Sequence, residues 1–207
     1  MKLWQDFSNI IVRRALKLSK GAVLKITDTD GLIHVGSAAL GNRLEVEAGA
    51  GITDGVGAIY ESSVVRAGGI IRTSILIDLT GLSSATSDLD IIGVGAGVAH
   101  IGKITAERNG TILTGRMTCI EAPLSLTDID LYSAESGIGV FEGGIAALTG
   151  TEAALLTKGG AWAVGTFTVL SAMPAANTFL YLVNGAADTA DPFTAGKFLI
   201  ELEGYVA

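Results

Sequence analysis

The sequence predicts an all-β fold: an antiparallel β-sandwich or jelly-roll-like domain behind a helical or extended N-terminal arm. Three observations carry that prediction. From Ala48 onward the chain is rich in glycine and small apolar residues. Within that stretch, short segments alternate apolar and polar side chains with the period of two that marks a half-buried strand. Glycine, Asn-Gly and Asp-Gly signals separate those segments, and the three prolines, Pro123, Pro174 and Pro192, fall where loops are expected.

The N-terminal arm spans residues 1–47. Trp4, Phe7, Ile11, Ala15 and Leu18 recur at spacings of three and four, which predicts a helix over residues 2–20 with those side chains on one face. Arg13, Arg14, Lys17 and Lys20 would lie in its last two turns, where cations complement the helix dipole, and Gly21 would end it. This is not a secretory leader, because Asp6, Ser8, Asn9 and then Arg13 and Arg14 interrupt any apolar run. Residues 23–27 read as a short strand. Asp28-Thr-Asp-Gly31 reads as a turn; it resembles the start of a calcium loop but lacks the later oxygen ligands. Residues 44–57 read as a linker.

The domain proper, residues 48–207, then reads as strand after strand. Ala58–Val65 is the first. The clearest lies within Gly68–Leu82: over Ile70–Leu79, Ile75, Ile77 and Leu79 share one face and Ser74, Leu76 and Asp78 the other. Gly68 and Gly69 are read as small residues that let neighbouring subunits approach. Ile91–Val94 and His100–Thr105 follow. Asn109-Gly110 predicts a hairpin joining residues 101–107 to 111–120, ended by Pro123. A short helical turn is expected within Ala146–Leu156. Strands are expected at Trp162–Leu170, Thr178–Val183 and Phe198–Tyr205.

Charge and composition narrow the function. The net charge of −7 hides an asymmetry: residues 1–25 carry six basic and one acidic side chain, and the remainder eight basic and twenty acidic. From Met117 onward only Lys158 and Lys197 are basic, so that part has little to offer a phosphate backbone, and no nucleic acid is expected as a partner. The basic arm is suited to an acidic partner. Half of the residues are apolar, 49%, yet no run reaches the ~18 residues of a membrane helix. No membrane partner is expected, and the surplus apolar surface suits an intermolecular interface.

Chemical sites are weak candidates. The single cysteine, Cys119, excludes an intrachain disulfide and reads as a small buried hydrophobe. His34 and His100 stand alone, so no metal and no cofactor is expected. Asp88 with Asp90, and Asp128 with Asp130, have the spacing of paired carboxylates on a strand face. Beside Ser83, Ser84, Ser87, Ser125 and Thr127 they read as solvated loop residues, with calcium held between subunits or a hydrolase as alternatives. Gly93-Val-Gly-Ala-Gly97 lacks the strand–turn–helix setting of a dinucleotide loop. Asn109-Gly-Thr111 matches a glycosylation sequon with no secretion signal to support it.

A resemblance adds to this reading. Ala58-Ile-Tyr-Glu-Ser-Ser-Val-Val-Arg-Ala-Gly-Gly-Ile-Ile-Arg-Thr-Ser-Ile-Leu-Ile-Asp-Leu-Thr-Gly-Leu82 carries it. Asp90-Ile-Ile-Gly93, Ala99-His-Ile-Gly102, Asn109-Gly-Thr-Ile112, Met117-Thr-Cys-Ile-Glu-Ala-Pro123, Asp128-Ile-Asp-Leu-Tyr-Ser133 and Lys197-Phe-Leu-Ile-Glu-Leu202 extend it. Over residues 48–207 the chain resembles the capsid decoration, or cement, proteins of tailed bacteriophages. That resemblance implies a non-enzymatic β-sandwich, a homotrimer that clamps neighbouring copies of the major capsid protein. It places the protein on the capsid surface of the virion, after synthesis in the host bacterial cytoplasm. It carries no catalytic residues. The partner-binding residues expected are in the arm: Trp4, Phe7, Ile11, Arg13, Arg14 and Lys17, set against the capsid or a neighbouring protomer. The alternative is a head-fibre or tail-associated module for host recognition or glycan binding, which the scarcity of aromatic side chains disfavours.

Overall fold

A computed structural model describes residues 22–26, 33–37 and 45–205 of the chain. The predicted helix over 2–20, with its six partner-binding residues, and the turn at Asp28–Gly31 lie outside the described residues. The chain falls into two compact units, Met1–Leu44 and Glu45–Ala207. In the first, β1 (Ala22–Ile26) pairs antiparallel with β2 (Ile33–Ser37), from Ala22↔Ser37 to Ile26↔Ile33.

The second unit is all-β, with two antiparallel sheets around one core. One sheet has the order β3-β4-β11-β6-β9, formed by β3 (Ile59–Ala67), β4 (Ile70–Asp78), β6 (Thr111–Leu124), β9 (Phe167–Val169) and β11 (Ala195–Tyr205). The other has the order β5-β10-β7-β8, formed by β5 (Gly102–Lys103), β7 (Ile129–Ala134), β8 (Glu152–Leu156) and β10 (Phe179–Asn184). Alternation sets the inner face of the first sheet. Ile71, Thr73, Ile75 and Ile77 of β4 are buried, as are Phe198, Ile200 and Leu202 of β11, while their sequence neighbours point outward. Leu131, Leu180 and Leu182 of the second sheet join the same buried cluster. The Tyr60 hydroxyl, 2.9 Å from the Val46 carbonyl and 2.7 Å from that of Ile101, pins β3 to the segments beneath it.

Several elements differ from the sequence expectation. Residues 44–57 are not a linker. Val46, Gly51 and Ile52 are buried, and α1 (Ala50–Thr53) packs its glycine side against the backbone of residues 97–98. Asn109-Gly110 does not make a hairpin. It closes α2 (Ala106–Asn109), where Gly110 takes the left-handed φ of 69° that a helix end favours. Asn109 is held inside: its amide donates to Thr73 Oγ1 at 2.8 Å and its Oδ1 accepts from Thr105 N at 2.9 Å. A buried amide bonded at both its nitrogen and its oxygen offers no acceptor site for a glycan in the folded chain.

Pro123 does not end β6 but lies within it. It sits opposite Gly196, where the β11–β6 register shifts between Ala195 and Lys197, the kind of irregularity that tolerates a missing N–H. Gly68 and Gly69 are the hairpin link from β3 to β4. Gly68 has a φ of 64°, a backbone conformation that glycine adopts without strain, and among the described residues nothing beyond its chain neighbours lies within 4 Å of where a Cβ would stand. Ile91–Val94 and His100–Thr105 form isolated bridges and the two-residue β5 rather than full strands. Within Trp162–Leu170 only β9 is strand, and Trp162 is buried with its indole N–H on the Ile129 carbonyl at 2.9 Å. The helical turn expected within Ala146–Leu156 lies at its start, a 3-10 turn over Ile145–Ala147, and residues 152–156 form the unforeseen strand β8.

Candidate interaction surface

The outward face of the five-stranded sheet is ordered in rows by strand register. One row runs Val65, Arg72, Glu203, Thr114; the next runs Ser63, Ser74, Glu201, Arg116, Val169. A third runs Glu61, Leu76, Leu199, Thr118, Phe167, and a fourth runs Ile59, Asp78, Lys197, Glu121. Each ion pair of this face joins cross-strand partners. Arg72 meets Glu203 at 2.6 Å, Arg116 meets Glu201 at 2.6 Å, and Lys197 lies 3.1 Å from Asp78 and 3.9 Å from Glu121. Burial alone would raise the Asp78 carboxyl, but hydrogen bonds from Thr80 and Lys197 outweigh it and hold the group below its ordinary value. The Asp78 partner in turn raises the Lys197 ammonium.

Between these pairs lies a groove of about 430 Å³, whose walls include Arg72, Arg116, Glu201 and Glu203 and whose apolar side is Phe167 and Val169. The Arg116 guanidinium sits 5.9 Å from the Phe167 ring centre. Phe167 and Val169 are more than half exposed, and Ile70, Ile120 and Tyr205 also stay exposed. A rigid sheet face that mixes neutralised charge with apolar side chains suits docking of another protein surface. No nucleophile–base pair lines the groove, since both guanidiniums and both carboxylates are engaged with each other.

The paired aspartates have parted company. Asp128 and Asp130 converge, to the point that a Cβ on Gly185 would stand 2.6 Å from Asp128 Oδ1 and 3.1 Å from Asp130 Oδ1. Asp88 is close enough for its charge to act on both, whereas Asp90 turns back to accept from Ser87 N at 3.2 Å. Asp130 is not a solvated loop residue: it belongs to β7, is 1% exposed, and accepts from Lys158 N at 2.7 Å. Among the described residues no cluster of three or more His, Cys, Asp or Glu is suited to a metal ion.

Burial raises the Asp130 carboxyl above its ordinary value; the Lys158 hydrogen bond opposes this, and the charges of Asp128 and Asp88 add to it. The folded chain therefore keeps a proton that the unfolded chain has released, so stability falls as pH rises from about 4 through the raised value. Asp130→Asn keeps the acceptor for Lys158 N and removes the charge. It is expected to melt with wild type near pH 3.5 and to be more stable than wild type at pH 7. Parallel thermal melts at the two pH values check this, and a variant less stable at pH 7 would refute it.

The remaining candidates are structural. Cys119 is buried and its thiol contacts the Glu121 carbonyl; burial first, then Glu121, raises it, which disfavours the reactive thiolate. His100 packs on Phe179 and Tyr181, and burial lowers its imidazole below the ordinary value. Gly93 bridges to Ser83, and Gly97 closes on α1, so that loop serves packing. Among the described residues no helix is long and apolar enough to cross a membrane. Sequence reasoning missed the Arg–Glu rows, whose members stand 85 and 131 residues apart. The available signal was the alternation Glu201, Glu203 opposite Arg72 and Arg116 on strands of matching period.

No family model, no curated protein and no solved structure matches this chain.

Proposed function

We propose that this chain is a non-enzymatic virion protein that binds the outside of an icosahedral phage capsid and stabilises it by clamping neighbouring major capsid subunits. The observation that carries the reading is the outer face of the five-stranded sheet, where exposed Phe167, Val169, Ile120 and Ile70 accompany cross-strand ion pairs. The resemblance of residues 58–82 and the later segments to decoration proteins supports it, as does the acidic body, which favours solubility before assembly. A homotrimer would engage several capsid subunits at once, so weak individual contacts add up through effective concentration. Binding to the expanded shell alone would stabilise that form by mass action. The basic arm, with Trp4, Phe7, Ile11, Arg13, Arg14 and Lys17, supplies a second contact to the shell or a neighbouring protomer.

The test uses purified full-length chain and expanded, undecorated shells of the major capsid protein encoded in the same virion gene cluster. Saturable co-sedimentation and a higher shell melting temperature are expected. Phe167→Asp, an exposed position, is expected to weaken binding at least tenfold without unfolding the body, and deletion of residues 1–21 to weaken it further. A chain that stays in the supernatant at all concentrations overturns the proposal.

A further inference from the structure

The outer strands of the two body sheets are unequal. β9 has three residues, β5 two and β8 five, but β3 has nine. Short outer strands leave little unpaired backbone for a stray chain to use. β3 lacks that protection. It pairs with β4 in one unbroken register from Ile59↔Asp78 to Ala67↔Ile70, and contains neither proline nor lysine. Its outward side chains include Ile59, 47% exposed, and Val65, 58% exposed.

We propose that β3 is a self-pairing edge: it joins β3 of a second copy, antiparallel, about a twofold axis normal to the sheet, making one continuous sheet from two. Such an axis keeps outward faces on the same side, so outward residues oppose outward residues. Five registers keep more than half of the strand paired, those centred on Glu61, Ser62, Ser63, Val64 and Val65. Centred on Ser62, Ile59 faces Val65 of the second copy at both ends, and Glu61 faces Ser63. Centred on Glu61, two carboxylates oppose each other. Centred on Ser63, Glu61 faces Val65; centred on Val64 or Val65, Ile59 faces nothing within the strand. The Ser62 register alone matches both exposed apolar side chains and opposes no like charges directly, and hydrophobic matching is what fixes register. Among the described residues no strand pairs with the outer edge of β3, and its backbone N–H and C=O groups supply the remaining affinity. This contact does not depend on the capsid reading. It is distinct from a threefold contact, and in a homotrimer it would link one trimer to the next.

Light scattering of the full chain over a range of concentrations should show the mass doubling, from monomer to dimer or from trimer to hexamer. Val65→Lys should move the midpoint at least tenfold higher in concentration. Register is read by oxidation of cysteine variants. Ile59→Cys mixed with Val65→Cys should give a covalent pair, because opposite Cβ atoms lie about 4.5–5.5 Å apart. Each variant alone should not, because like positions would sit six residues apart along the strand, roughly 20 Å. Cys119 is buried and does not compete. A mass that never doubles, or single variants that cross-link as readily as the mixture, overturns the twofold contact. A fixed trimer that still binds shells would overturn it and leave the capsid reading standing.

Discussion

Phe198→Ala is expected to cost about 3–5 kcal/mol of folding stability, the range for removing a fully buried aromatic side chain. Phe198 lies on β11, the central strand of the five-stranded sheet, between Ile77 of β4 and Cys119 of β6. It is wholly buried, and the Trp162 ring meets it edge-on with centres 5.3 Å apart. Truncation would open a cavity bounded by β strands on two sides and by an indole held in place through its bond to Ile129. None of those walls can move in without breaking a ladder, so little of the void would close. Phe167→Ala, two strands further out, is the control: the residue is 59% exposed and its ring lies under Arg116, so a loss below about 1 kcal/mol is expected. Chemical denaturation of both variants measures the contrast. Equal losses would mean that the two faces of the sheet are not inner and outer as described.

How much of this was legible depended on whether a local pattern had one physical cause. β4 and β11 alternate because one face is core and the other is open, and period two survives in the sequence. β7 was hidden because Ile129, Asp130, Leu131, Ser133 and Ala134 are all buried, which erases the alternation. β8, Glu-Ala-Ala-Leu-Leu, is made of good helix formers, and its pairing with β7 overrides that preference. Asn-Gly favours left-handed backbone, and that serves a helix end as well as a hairpin; the Thr105 and Thr73 partners of Asn109 decide between them, and Thr73 lies 36 residues away. The glycines of 44–57 looked like a linker because close backbone packing and flexibility both select glycine. For the surface, the sequence showed that apolar and charged residues alternate. Which arginine would meet which glutamate required the register of β11 between β4 and β6.

Asn184→Ala is expected to cost about 2–6 kcal/mol, through partners it leaves behind rather than through volume. Asn184 ends β10 and is fully buried. Its Oδ1 accepts from Ala85 N at 3.1 Å and its Nδ2 donates to the Ala85 carbonyl, so one side chain satisfies both backbone groups of a buried residue. Its own backbone accepts from Leu89 N at 3.0 Å and donates to the Asp90 carbonyl at 2.9 Å. Those bonds join the ones from Ile92 N to the Leu182 carbonyl and Ile101 N to the Leu180 carbonyl in holding the strand-poor stretch after β4 against the second sheet. Alanine would leave the Ala85 N–H and C=O without partners, each costing roughly 1–3 kcal/mol. Asn184→Asp separates the causes. It keeps the acceptor, loses the donor and adds a buried charge, so at pH 7 it is expected to be no more stable than the alanine variant. The buried carboxyl would titrate above its unfolded value, so the folded chain would hold the extra proton and stability would rise as pH falls toward 4. Denaturant melts at pH 7 and pH 4.5 should show aspartate recovering relative to alanine. Hydrogen exchange at Ala85 N–H should accelerate in the alanine variant before the strands of the first sheet are affected. An aspartate variant that tracks alanine at both pH values, although it keeps the volume of asparagine and at low pH both an acceptor and a donor, would remove Asn184 as the polar clasp of this stretch.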